Sequence, residues 1–268
     1  MNFLRHYLLA VQFFTRLPIT GALAQWVGFS PAMLRASAAH FPGVGWLVGI
    51  AACAVFAVLS LALPDTSFTP LAAAVGSTLA TVLLTGGFHE DGLADVADGL
   101  GGSSQRERAL EIMKDSRVGA FATMALIFAL LAKVSLLAVL ASHSPTAVLA
   151  ALLGGHVLSR FWPLLLIRTL SYVGNEADSK SKPLAQRIEP VGLAIALSWC
   201  VVPLAIALLA QGFVFVATSV AASALALLWM RWLFARRLQG FTGDCLGATQ
   251  QVCEIAFYLG AAVALGSK

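Results

Sequence analysis

The sequence predicts an all-α polytopic membrane bundle of about seven transmembrane helices, preceded by an amphipathic helix. Three observations carry this. Of 268 residues, 59% are hydrophobic and only 11% are charged, whereas roughly 25% are charged in ordinary soluble domains. The mean hydropathy is +0.85. The apolar residues gather into runs near the ~20 residues that cross a bilayer, and most Lys and Arg residues fall between the runs.

In residues 1–17, Phe3, Leu4, Tyr7, Leu8, Val11 and Phe14 recur at helical spacing. That pattern suits a helix lying at the membrane interface, ended by Pro18 and Gly21. Arg5, His6, Gln12 and Arg16 interrupt its apolar character, so a cleavable signal peptide is not expected. Apolar segments follow at 43–63, 71–88, 119–141, 147–167, 191–210, 214–233 and 253–267, the last being the shortest. Segment 147–167 contains His156 and Arg160 and should face other helices rather than lipid. The glycine-rich stretch 99–104 reads as a loop. The whole chain, 1–268, reads as one membrane-embedded domain. An interfacial segment 1–42 precedes a bundle, 43–268, with cytoplasmic loops at 89–118, 168–190 and 234–252.

Charge supports that orientation. With the N-terminus inside, the inner segments 1–42, 89–118, 168–190 and 234–252 hold 3, 4, 4 and 2 of the 17 Lys/Arg, against one, Lys268, outside. Inner loops of membrane proteins carry this excess. The net charge of +4 therefore reflects topology and not nucleic-acid binding. Of 13 Asp/Glu, only Asp65 lies in an outer loop, so function is sought on the cytoplasmic face. The four cysteines form no CxxC pair, and neither a disulfide framework nor a zinc site is indicated.

The segment 89–99 follows a span directly and holds Glu90, Asp91, Asp95 and Asp98. At 100° per residue, Asp91, Asp95 and Asp98 fall within about 60° of one another on a helix, with Glu90 at one flank. Carboxylates so placed repel unless a cation neutralises them, and an all-oxygen set suits Mg²⁺, Mn²⁺ or Ca²⁺. Gly92, Ala94, Ala97 and Gly99 keep the surroundings small. A solvated acidic helix end, a metal-pyrophosphate site and an ion path of a transporter all fit such a cluster. Its place at the end of a span favours the second, because transport sites more often lie near the midplane.

Residues 114–117 bring Lys114, Asp115, Ser116 and Arg117 close in sequence to the acids. Lys114 and Arg117 would partner phosphate oxygens, and Asp115 would ligate metal or orient Lys114. His156, Ser159 and Arg160 share one helical face. Arg160 inside a span costs about 2.5 kcal/mol or more at the helix centre, which suits either a functional group or an internal ion pair. Lys133 and Arg231 snorkel or meet a buried acid. The polar loop 171–190, with Asn175, Glu176, Asp178, Lys180, Lys182 and Arg187, would cover a cytoplasmic site. Later, Asp244, Gly247, Gln251 and Glu254 occupy about 80° of a helix, a second candidate face for metal or substrate.

Together these motifs resemble the cobalamin synthase family, the adenosylcobinamide-GDP ribazoletransferases. The matching pieces are residues 14–18 and 41–45, the acidic run, residues 114–119, Ser159-Arg160, and Gly243-Asp244 through Glu254. The resemblance implies a Mg²⁺-dependent enzyme of the bacterial inner membrane, multi-pass, with its active site facing the cytoplasm. It implies transfer of adenosylcobinamide phosphate from adenosylcobinamide-GDP to α-ribazole or its 5′-phosphate, with release of GMP. Carried onto this sequence, Glu90, Asp91, Asp95, Asp98, Asp244 and Glu254 would hold metal. Asp98, Lys114 and Asp244 would act in catalysis. Arg16, Lys114, Asp115, Ser116, Arg117, His156, Ser159, Arg160, Gln250 and Gln251 would contact substrate. The lipid bilayer is the other expected partner, and an oligomer is compatible with the sequence but not specified by it. The acidic motif is also reminiscent of CDP-alcohol phosphotransferases, but the Ala-Arg step of that group is not matched. A cation- or proton-coupled transporter is the rival outside enzymes. It would need a water path lined by Lys133, Arg160 or Arg231 and an acid at similar depth.

Overall fold

In a computed structural model, the described residues, 2–174 and 188–266, are helical with no strands, apart from one isolated bridge between Tyr172 and Phe241. Most of the predicted loop 171–190, including Asn175, Glu176, Asp178, Lys180, Lys182 and Arg187, lies outside them, as does Lys268. In chain order the helices are α1 Asn2–Phe14, α2 Gly21–Val27, α3 Pro31–Ser37, α4 Phe41–Ala62 and α5 Thr69–Thr85. They continue as α6 Phe88–Gly102, α7 Arg106–Ile112, α8 Ala120–His143 and α9 Pro145–Thr169. The last three are α10 Pro190–Gln211, α11 Phe213–Arg237 and α12 Gly243–Gly266. Among the described residues six stretches are long and apolar enough to cross a membrane, or seven if the bent pair α5 and α6 counts as one span.

α9 and α12 form the interior, buried along most of their length, whereas α8, α10 and α11 present mostly apolar side chains outward. Without a hydrophobic drive between helices in lipid, small residues and interhelical hydrogen bonds hold such interfaces. The Trp162 indole N–H of α9 donates to Ser223 Oγ of α11 (2.7 Å), and Ser223 Oγ donates to the Cys253 carbonyl of α12 (2.8 Å).

Two features differ from the sequence expectation. The last helix begins at Gly243 rather than near 253, which shortens the connection after α11 to five residues, 238–242. Its first half is too polar to read as a span, but Gln250, Gln251 and Glu254 are buried against neighbouring helices that satisfy them. The glycine-rich stretch also stays helical to Gly102. Gly99 lies under Met113 and Ala109 of the α7 region, and Gly101 under Phe121 of α8, where a side chain would collide.

The turn between α5 and α6 positions the site. Gly86 and Gly87 both adopt left-handed φ, 69° and 70°, a region glycine enters without the steric penalty of a Cβ. The two helices meet at 90°, so α6 runs across the end of α5 instead of continuing the span.

Candidate active site

The acidic stripe forms as the helical spacing predicts. Asp91, Asp95 and Asp98 of α6 line one open cavity of ≈ 280 Å³ together with Lys114, Asp115, Ser116, Arg117 and Val118 of the α7–α8 connection. Asp244, in the first turn of α12, lies within electrostatic reach of Asp91 and Asp95. It comes near because α6 and α12 cross through glycines. A Cβ on Gly92 would sit 2.8 Å from the Asp244 carbonyl oxygen, and Gly247 packs on the backbone of His89 and Gly92. Thr242 Oγ1 donates to Asp244 Oδ2 (3.2 Å) and fixes its rotamer.

The electrostatics of this face are strained. Burial, and then the charges of Asp244, Asp91 and Asp98, push the Asp95 carboxyl up to about 7. Burial and neighbouring carboxylates both disfavour the charged form of an acid. Asp115 goes the other way, held down at about 2 by hydrogen bonds from the Arg117 side chain and backbone N–H. That pair ties the turn 115–117 into one cationic and anionic unit at the cavity rim. Lys114 and Ser116 are exposed beside it.

Asp98 has a second duty. Its Oδ2 accepts from the Gly119 N–H (2.6 Å) and its Oδ1 from the Ala122 N–H (2.8 Å). It therefore caps α8 from another helix and fixes the 114–118 segment against α6. Among the described residues, no three His, Cys, Asp or Glu side chains are gathered tightly enough to hold an ion as they stand.

Glu90 and Glu254 do not face this cavity. Glu90 is one residue, and so 100°, away from Asp91 on the helix, and lines an internal crevice instead. Glu254 lies ten residues beyond Asp244, about 15 Å further along the helix at 1.5 Å per residue. Its carboxylate is engaged by Lys133 Nζ (2.5 Å), His156 Nδ1 (3.1 Å), Gln250 Nε2 (2.6 Å) and the Tyr258 hydroxyl (3.0 Å). His156, Ser159, Arg160, Gln250 and Gln251, expected to touch substrate, are brought together, but inside the bundle. Gln250 Nε2 donates to Ser159 Oγ (2.9 Å), Gln251 Nε2 donates to Glu90 Oε1 (3.0 Å), and Arg160 Nη1 donates to the His156 carbonyl (2.8 Å). Arg16 sits at the α5–α6 elbow, its N–H on the Leu84 carbonyl (2.7 Å) and its side chain against Gly86.

Lys133 meets a buried acid, one of its two expected fates, and Tyr258 joins it on Glu254 without having been expected there. Lys133 is a basic residue within an apolar run, and a buried acid at similar depth was the signal that would have paired it. Tyr258 is one helical turn from Glu254, the i,i+4 spacing at which side chains meet. The rival transporter needed cations and an acid at one depth, and Lys133, Arg160 and Glu254 meet that condition. The water path is what they lack, since their relative exposures are 2%, 2% and 0%.

Comparison with known proteins gives a consistent answer. The family cobalamin-5-phosphate synthase matches residues 6–262. A protein of Polaromonas naphthalenivorans named adenosylcobinamide-GDP ribazoletransferase is 64% identical, covering 99% of this chain and 100% of its own. Relatives with the same name from Leptothrix cholodnii and Shewanella amazonensis are 45% and 43% identical, over 96% and 94% of this chain and 94% and 93% of theirs. No solved structure matches the chain.

Proposed function

The chain belongs to the cobalamin-5-phosphate synthase family, and from that premise we propose that it joins α-ribazole, or its 5′-phosphate, to adenosylcobinamide-GDP and releases GMP. The observation that carries this reading is the cavity itself. The acidic face of α6 opens onto a turn bearing Lys114 and Arg117, which is the pairing of acids and cations that a metal-bound pyrophosphate requires.

The donor set fits Mg²⁺. Aspartate oxygens are hard ligands, and the carboxyl of Asp95, driven up by burial and then by its acidic neighbours, stands where a cation would favour the charged form. Asp91, Asp95 and Asp244 would hold the ion, with Asp98 bracing them from its cap on α8. A divalent cation held there would supply positive charge to offset that of the pyrophosphate and of the departing GMP. Lys114 and Arg117 bind the non-bridging phosphate oxygens and take up charge as it develops. Asp115 holds the Arg117 guanidinium in place. Asp244, oriented by Thr242, accepts the proton of the attacking ribazole hydroxyl. That oxygen bonds to the cobinamide-side phosphorus as the bond from this phosphorus to the GMP oxygen breaks. The protein would reside in the bacterial inner membrane with this face toward the cytoplasm, the side to which the Lys/Arg excess of its loops assigns it. Purified protein in detergent tests the reading. GMP release should require adenosylcobinamide-GDP, ribazole and Mg²⁺ and no membrane gradient. Asp91→Ala and Asp95→Ala should each lower it at least ~100-fold while the protein still folds. Near-normal release by both variants would refute the assignment.

A further inference from the structure

The acidic motif is divided between two environments. Asp91 and Asp95 face the open cavity, while Glu90 points into a crevice between α5, α8, α9 and α12. There its Oε1 accepts from Gln251, and its Oε2 is buried without a partner. The same crevice holds three other unpartnered buried nitrogens, His89 Nε2, His156 Nε2 and Arg160 Nε, of which only the arginine carries a fixed charge. The crevice walls leave no water-sized space between them, so solvent does not serve these atoms. Charge points to the same pairing. Lys133 is bonded to Glu254, and Glu90 is the other carboxylate within Coulombic reach of Arg160. Phe41 flanks the arrangement, with the Arg160 guanidinium over its ring at 5.8 Å and the His89 imidazole stacked on it at 5.7 Å.

We infer that Glu90 is the counter-ion of Arg160 and a positioning residue, not a metal ligand. Through Arg160 and Gln251 it fixes the rotation of α6 against α9 and α12, and so sets how Asp91 and Asp95 stand toward Asp244. A side chain outside the aspartate stripe, 100° around the helix from Asp91, thereby controls the geometry of the catalytic aspartates. The inference rests on the aspartate cavity being the reaction site, but the pairing of Glu90 with Arg160 is testable without it.

The experiment compares full-length protein in detergent as wild type, Glu90→Gln, Asp95→Asn, Arg160→Met and the double variant Glu90→Gln/Arg160→Met. Three quantities are read: Tm, Mn²⁺ affinity by electron paramagnetic resonance, and kcat per folded protein. Removing one member of a buried pair leaves the other uncompensated. Glu90→Gln should therefore lose about 10 °C in Tm and at least ~10-fold in kcat, with a much smaller loss of Mn²⁺ affinity than Asp95→Asn, and the double variant should regain that affinity with its Tm. The double variant should recover most of the Tm and raise kcat again above that of Glu90→Gln. Asp95→Asn should lose Mn²⁺ affinity without any loss of Tm in the metal-free protein. The inference is overturned if Glu90→Gln loses Mn²⁺ affinity as Asp95→Asn does. It is equally overturned if the double variant is no more stable than Glu90→Gln alone, or if folded Glu90→Gln keeps wild-type kcat. A wild-type protein that binds no Mn²⁺ would count against the metal reading of the cavity, and the Tm and kcat comparisons would still decide the pairing.

Discussion

Asp95 and Asp98 show how differently two carboxylates of one helix are used. Asp98 accepts two backbone N–H groups at the start of α8, much as an N-cap side chain does. Asp95 has no such donors and is pushed up to about 7 by burial and by its acidic neighbours. The sign of the linked stability follows. Because the folded protein binds the Asp95 proton more tightly than the unfolded chain, this group favours folding at low pH and its contribution falls as pH rises from about 4 to 7. With divalent cations chelated, Tm should drop across that interval, and Asp95→Asn should flatten the drop. Adding Mg²⁺ at pH 7.5 should restore Tm in the wild type and much less in the variant. Thermal unfolding at a series of pH values, with and without Mg²⁺, measures both effects. The three-aspartate stripe was legible in the sequence because it needs only helical periodicity. The separate duties of Asp98 and Glu90 were not, because their partners, at 119–122 and at 160 and 251, are remote in sequence.

At the scale of elements, the crossing of α6 and α12 decides whether the site exists. Gly92 and Gly247 let the two backbones touch, which carries Asp244 to the aspartate stripe. Gly92→Ala places a methyl group 2.8 Å from the Asp244 carbonyl oxygen, too close for backbone that cannot swing aside. The helices must separate by a fraction of an ångström or more. Turnover should fall ~10- to 100-fold, since displacements near 1 Å are that costly to reacting geometry, with a moderate loss of Tm. Kinetics on the purified variant, set beside Ala94→Gly on the same helix as a control for helix propensity, would measure it. The sequence announced small residues around the acids but not which of them meets another helix. It also placed the start of the last span ten residues late. Apolar content marks a membrane helix that faces lipid, whereas the first half of α12 faces other helices, where polar side chains find hydrogen bonds.

At the scale of the molecule, the question is orientation. If the aspartate face is cytoplasmic, Arg108 is inside and Asp65 outside, at opposite ends of the bundle. Both are exposed, while Cys200, Cys245 and Cys253 are buried and Cys53 is half-buried, so background labelling should be low. A membrane-impermeant maleimide should label Asp65→Cys in intact spheroplasts. It should label Arg108→Cys only after the membrane is opened or inverted. The reverse pattern would turn the site to the other side of the membrane.

The sequence by itself determined the helical membrane class, six of the seven span positions to within a few residues, the acidic stripe and the family. Each of these is carried by local periodicity, by hydropathy or by contiguous motifs. Tertiary structure alone decided which acids share a cavity. Asp244 joins Asp91 and Asp95 because two glycines allow a close helix crossing. Glu254 leaves them because ten residues of helix carry it deep into the bundle, where Lys133 neutralises it and His156 Nδ1 lies 3.1 Å from it. A buried charge takes its meaning from the groups that surround it, and those groups come from helices far apart in the chain.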